Sequence, residues 1–242
     1  MTVRRSVWWV PLLALVTATV FGTGCVTNGR RVLLKEYGPT IPALATQDLK
    51  GATICLKGFD CAPNLVSLDL KTRPDEPDQY KYVEFTPEQE QIWTKDMRDL
   101  QKRTTKADGQ EIGNMRGAFG SVGSHVYALN DLAVWLADSL KLDLEAQGAK
   151  VVDASQAATA DVCISGTIQL CRADMYFKIA AELVVDIDVQ PRQGALRHKQ
   201  IHTHGETLAV LASEGEYYHG FRACRQKFSI LATREMVQAM KP

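Results

Sequence analysis

The amino-acid sequence predicts an α+β fold, a mixed and mostly antiparallel sheet with helices packed on one face. Three observations lead there. DVCISGTIQL and YFKIAAELVVDIDV alternate apolar and polar residues over most of their length, as half-buried strands do, and a third such stretch follows them. Two segments, near 131–147 and from 214 onward, instead repeat their apolar residues at helical spacing. Packing those helices over one sheet face hides the apolar stripes of both.

The chain opens with a segment that belongs to targeting rather than to the fold, expected as a signal helix over residues 1–24. Arg4 and Arg5 make a basic start, and Val7 to Gly24 is uncharged and interrupted only by Pro11. That run is slightly shorter than the roughly 20 apolar residues a membrane span needs. Small residues then lead into Cys25. The stretch Phe21-Gly22-Thr23-Gly24-Cys25 resembles a bacterial lipobox, with Gly22 where leucine is usual. The resemblance implies cleavage before Cys25, a diacylglycerol on its sulfur and a further acyl chain, such as palmitate, on its amino group. At about 0.8 kcal/mol per buried methylene, two or more chains hold a protein on a membrane. Val26 in place of aspartate implies, by the enteric sorting rule, the outer membrane, facing the periplasm. An ordinary secretory signal or an uncleaved anchor are the competing readings, and the Arg4-Arg5 pair alone is a poor twin-arginine motif.

Without residues 1–24 the chain keeps 218 of its 242 residues, enough for one large domain with a core. Removing Arg4 and Arg5 leaves 26 basic against 28 acidic residues, so no basic excess exists to neutralise phosphates and nucleic acid is not an expected partner. No later apolar stretch is long enough to span a bilayer. Besides Cys25 there are Cys55, Cys61, Cys163, Cys171 and Cys224. An oxidising compartment permits up to two bridges and a free thiol, with the pairing open. Their spacings match no zinc pattern, so buried or bridged structural cysteines are expected, and no metal or cofactor.

Residues 25–51 read as the lipidated cysteine and a tether, broken by Asn28-Gly29, Gly38-Pro39 and Ile41-Pro42. Fully extended, such a tether reaches about 80 Å at roughly 3.3 Å per residue. The domain proper is expected over 52–242, beginning with the strand ATICLKGF. Residues 62–104 form an exposed excursion rich in proline and charge. Within it, Thr86-Pro87-Glu88-Gln89 starts a helix to about Arg103, with a thin stripe of Ile92, Met97 and Leu100. Glu111 to Phe119 suggests another strand, with Gly117, Gly120 and Gly123 in a connection to the next helix.

That helix begins at Asn130 or Asp131, carries Leu132, Leu136, Leu140 and Leu144 on one face widened by Trp135, and stops at Gly148. A short strand follows. In the two long strands, Val162, Ile164, Ile168 and Leu170, then Phe177, Ile179, Leu183, Val185, Ile187 and Val189, are expected to face the core. Gln193-Gly194 turns into a third strand over 196–210. A final helix from Glu214 buries Tyr217, Phe221, Cys224, Phe228 and Leu231.

The succession IGNMRGAFG, DLAVWLADSLKLDLEAQGAKVVD and ADVCISGTIQL resembles YajG-type outer-membrane lipoproteins, over roughly Ala52–Met240 with the 62–104 excursion interrupting. The helix-then-strand phrase is also similar to the amino-terminal half of TolB and to penicillin-binding-protein activator lipoproteins. The resemblance implies an interaction or assembly module of the cell envelope, with a protein partner there, and supplies no catalytic residues.

Several side chains could carry chemistry. His198, His202 and His204 share strand parity with Glu206, and a His-x-His pair about 7 Å apart can chelate a metal. This supports an alternative reading as a periplasmic metal- or small-ligand-binding lipoprotein. The bland reading is an exposed polar sheet face. The Gly117–Gly123 loop lacks the Gly-Lys-Ser/Thr ending of a phosphate loop. Asp186 and Asp188 fit two rungs of a solvated face better than a carboxylate pair. Ser121 and Ser124 lie near His125 without a nucleophile elbow. Tyr217, Tyr218 and Phe221 fit helix core. The expectation is a non-enzymatic envelope lipoprotein.

Overall fold

The computed structural model describes residues 29–40, 49–67, 73–78, 80–104, 109–116, 122–211 and 213–241. The expected signal segment and Cys25 lie outside the described residues. Eight strands and three α-helices follow one another as β1 (Arg30–Val32), β2 (Thr53–Cys61), α1 (Pro87–Arg103), β3 (Gln110–Arg116), β4 (Val122–Ala128), α2 (Leu132–Ala146), β5 (Lys150–Val152), β6 (Val162–Tyr176), β7 (Lys178–Pro191), β8 (Arg197–Leu208) and α3 (Glu214–Met240). Among the described residues no helix is long and apolar enough to cross a membrane.

All eight strands join one mixed sheet with the helices on one face, an α+β fold. β6 is its spine. Along one edge it pairs antiparallel with β7 over its whole length, and β7 pairs antiparallel with β8. The other edge forks: the first half of β6 pairs parallel with β2 and its far end parallel with β3. β5 extends the first branch, and β4 and β1 extend the second. Four ladders are parallel and three antiparallel, yet the two longest are antiparallel. The long hairpin that the sequence displays sets the character of the sheet, and short parallel branches complete it.

The α-helices and the inward sheet face share one core, with Phe59 of β2 edge-on to Phe228 of α3 at 5.9 Å. α2 starts where Asp131 accepts from the amides of Ala133 and Val134, and buries Leu132, Trp135, Leu136, Leu140 and Leu144. In β7, Ile179, Leu183, Val185, Ile187 and Val189 are buried as expected. Phe177 is not. It forms the tip between β6 and β7 and is 79% exposed, because Tyr176 already pairs with Lys178 and the chain reverses at that residue. In β6 a bulge between Ile168 and Leu170 shifts the alternation, so Cys171 and Ala173 enter the core beyond it. α3 lies so close to β8 that a Cβ on Gly205 would stand 2.4 Å from the Gly220 carbonyl oxygen.

Three expectations change. Residues 30–40 are not tether: β1 pairs with β4, Leu33 and Leu34 are buried, and Glu36 is held between Arg222 and Arg225. The stripe of α1 is Trp93, Met97 and Leu100 rather than one through Ile92, which is 49% exposed. Trp93 stacks on Tyr218 at 5.1 Å and donates its indole N–H to the Leu33 carbonyl at 2.9 Å. Residues 122–128 form β4, hairpin partner of β3, instead of a loop leading into α2.

Residues 62–104 are likewise less free than a protruding loop. Leu65 accepts from the Cys171 amide at 3.0 Å on the forked edge of β6. Asp75 meets the opposite edge of the sheet, where its amide donates to the His202 carbonyl and its carboxylate accepts from the His202 amide. Residues 76–78 and 80–90 then run along α3, with Glu76 on Lys227 at 2.6 Å and Phe85 stacked on Tyr218 at 5.2 Å.

Candidate functional site

β8 is an outer strand of the sheet, and the alternation of antiparallel pairing decides which of its main-chain groups face away from β7. His202 exchanges both of its groups with Asp75, so His204 and Glu206 also turn their amides and carbonyls outward. Beyond Asp75 the chain swings away from the strand and onto α3. A groove of about 820 Å³ is left between them. Its floor is the β8 edge from His204 to Thr207, one wall is α3 at His219, Ala223 and Lys227, and the other is Tyr80, Tyr82 and Glu90.

Lys227 and Glu206 in the groove are already engaged. Lys227 donates to the His204 carbonyl at 2.8 Å as well as to Glu76. Glu206 pairs with Lys178, whose ammonium holds that carboxylate below its usual range. His219 lies 2.8 Å from the Tyr82 hydroxyl, and burial pushes its imidazole below the ordinary 6.5 against the opposing pull of Glu90. Burial raises both the Tyr80 and Tyr82 phenols, so they stay protonated. The groove therefore offers the outward His204 and Glu206 amides and the Glu206 carbonyl, aromatic faces, phenol groups and a neutral imidazole. This set suits recognition of an extended polar chain by strand addition, with flanking side chains for specificity.

Sequence parity placed His198, His202 and His204 on one face, and they do share it, but each meets a different carboxylate. His198 bonds to Asp188, His202 lies 3.6 Å from Glu182, and His204 lies 3.4 Å from Glu206. His202 is 3% exposed, and neither of its ring nitrogens has a hydrogen-bond partner among the described residues. No three His, Cys, Asp or Glu side chains among the described residues are placed to hold a metal ion. Asp186 and Asp188 bond across to Gln200 and His198, as sheet-face rungs do.

Ser124 is buried while His125 turns outward to Glu111 at 2.8 Å, so adjacency in sequence builds no serine–histidine pair; Ser121, Gly117 and Gly120 lie outside the described residues. Tyr217, Tyr218 and Phe221 are core, each under 2% exposed. The five described cysteines are free thiols. Cys55 and Cys163 sit in register on β2 and β6.

Sequence reasoning missed Tyr80, Tyr82, His219 and Lys227 as groove residues. A signal existed: residues 219, 223 and 227 lie four apart on one helix face, and Tyr80-Lys81-Tyr82 alternates within a proline-rich stretch.

No protein-family model matches the chain, and no curated protein matches it. The chain is similar to a crystal structure of an uncharacterized protein, at TM-score 0.47 and 12% identity over 86% of this chain and 99% of the other. It is similar to a Xanthomonas campestris protein of family DUF330 at TM-score 0.43 and 11% identity, over 87% of this chain and 92% of the other. A hypothetical protein of Chlamydia trachomatis follows at TM-score 0.26 and 9% identity, over 78% and 93%. These likenesses are too weak to carry a function.

Proposed function

We propose that the chain is a lipid-anchored, non-enzymatic lipoprotein of the bacterial outer membrane. It faces the periplasm and takes an extended segment of another envelope protein into the groove beside β8. The observation that carries the role is that groove, with outward strand groups at its floor and Tyr80, Tyr82 and His219 around it. The lipobox-like Phe21–Cys25 run supports the anchoring, with Cys25 as the acylated residue. The sequence resemblance to YajG-type lipoproteins is consistent with such a role. The histidine strand gives a metal-binding alternative no comparable support, since its three imidazoles do not converge.

Photo-crosslinking in growing cells tests the proposal. A photoreactive residue at Tyr82 or Thr207 is expected to capture one and the same envelope protein, and one at Gln200 on the open sheet face to capture none. Capture should weaken sharply with Cys25→Ser, which removes the anchor. Equal capture from Gln200, or none from the groove positions, would remove the basis for a groove-bound partner.

A further inference from the structure

The first described strand begins at the same end at which the sheet displays most of its exposed apolar side chains. Arg116 pairs with Val122 at the end of the β3–β4 ladder, Met175 pairs with Met115, and Lys178 pairs with Leu208. The β3–β4 hairpin, the β6–β7 tip and the end of β8 therefore finish side by side. Val122, Tyr176, Phe177, Leu208, Val210 and Leu211 are between 48% and 81% exposed there.

β1 runs parallel to β4 with Arg30 opposite Val126, so the start of β1 lies toward the Val122 end of β4. The Arg30–Glu214 ion pair at 3.3 Å sets the same entry point beside the start of α3, just past Val210 and Leu211. Arg30 is five steps along the chain from Cys25, a reach of at most about 17 Å at roughly 3.3 Å each.

Phe177 adds an independent observation. Its φ of 70° is the only positive φ at a non-glycine position among the described residues. A bulky residue in that region is strained, and such strain gathers at functional positions. Glycine or asparagine would make the same one-residue reversal more easily. Here an aromatic ring is held outward instead, edge-on to Tyr176 at 4.5 Å. Behind the tips, Arg30, Arg116 and Lys178 are each paired with a carboxylate. Glu216, which accepts from the Val210 and Leu211 amides, adds a further carboxylate, so the described residues of this collar carry no excess of cations and the surface suits the apolar boundary of a bilayer rather than an anionic headgroup layer.

We propose that this end of the molecule rests in the membrane interface, with the Phe177 tip and the Val210–Leu211 loop inserted among the acyl chains beside the anchored Cys25. Interfacial elements bury their apolar faces about 5–10 Å deep, within the distance the Cys25 linkage allows. The inference rests on the lipoprotein reading, and it adds that the body is docked and oriented rather than swinging on a tether.

The test uses the full chain, processed in a bacterial host and reconstituted in phosphatidylcholine vesicles with brominated acyl chains. Trp8 and Trp9 precede Cys25, and Trp93 and Trp135 are buried at 2% and 3% exposure, so a new surface tryptophan reports alone against two folded-state references. With Phe177→Trp or Leu211→Trp, the added emission is expected to shift to the blue and to be mostly lost to bromine. With Asp188→Trp, far along β7 from the tip, it is expected to persist. Quenching at Phe177→Trp and Leu211→Trp no greater than at Asp188→Trp, in protein whose mass shows an acylated Cys25, would overturn the docked orientation and leave the anchor standing. A blue shift without bromine quenching would mean that a protein surface covers the tips, and would overturn it equally. A mass without acyl chains would overturn the lipoprotein reading itself and the orientation with it.

Discussion

Arg225 is fully buried between two carboxylates, with Asp143 of α2 on one side and Glu36 of the segment after β1 on the other. Arg222 joins the same cluster through Glu36 at 2.9 Å and lies over the Phe85 ring at 4.3 Å. Thr40 closes it by donating its amide to Asp143 at 2.6 Å. Removing one carboxylate leaves Arg222 and Arg225 to share the other, an uncompensated buried charge of the kind that typically costs about 3–5 kcal/mol. Asp143→Asn should therefore lower the urea midpoint by an amount equivalent to about 3 kcal/mol, followed through the emission of Trp135. An unchanged midpoint would show that the ion pairs add nothing to stability.

His219 gives a pH dependence of known sign. Burial lowers its folded-state value below 6.5, so the unfolded chain holds the proton more tightly. Stability linked to His219 is complete above about pH 6.5 and is lost as pH falls through the lower folded value. His219→Gln, which can keep a hydrogen bond to Tyr82, should flatten that part of the curve of urea midpoint against pH. Thiol reactivity should follow exposure: burial raises the thiols of Cys61, Cys55, Cys171 and Cys224 alike, with Cys55 pushed up to about 11, but Cys61 is half-buried and the other described cysteines are buried. Maleimide should therefore modify Cys61 alone in the folded chain, and the other body cysteines only in denaturant, read by peptide mass.

At the scale of elements, the sequence announces those with a single covered face. The starts of α1 and α2, at Thr86 and Asp131, are cap signals in residues 86–89 and 131–134, and the two long strands alternate plainly. What was not legible is covered from two sides. α3 is buried almost all round between Tyr217 and Ser229, Arg222, Arg225, Gln226 and Lys227 included, because the sheet takes one face and residues 76–78 and 80–90 the other. A stripe through Tyr217, Phe221 and Phe228 shows only the first contact. In α1 the spacing 93, 97, 100 is as helical as the one through Ile92, and only the packing of Tyr218 and Leu33 chooses between them. β1 and β4 are short and need their neighbours to be strands at all.

Two predictions belong to this scale. Trp93→Ala should cost about 3–5 kcal/mol, as large-to-small core changes do. Gly205→Ala should cost about 1–3 kcal/mol, because the added methyl must push α3 away from β8. Both are read by urea unfolding. A neutral result at Gly205 would show that the helix can move away at no cost.

Across the whole molecule, the sequence made residues 25–51 a leash, and the fold shortens it. Polar and proline-containing stretches look alike whether they cross solvent or lie against a body, and the pairing of β1 with β4 depends on residues almost a hundred positions away. The consequence is geometric: a protein acylated at Cys25 would be held close to the bilayer by one end, with the β8 groove along the side of the body. The groove itself was hidden for the same reason, since it is assembled from residues 80–90, 204–207 and 219–227.

Anchoring at Cys25 is the claim on which location, orientation and partner all depend. Its most direct test is the mass of the amino-terminal peptide of the protein isolated from its own membranes. The expected peptide begins at Cys25 and carries a diacylglyceryl group on sulfur and an acyl chain on nitrogen. A peptide that still contains residues ahead of Cys25, or one beginning at Cys25 with a bare thiol, would contradict the claim.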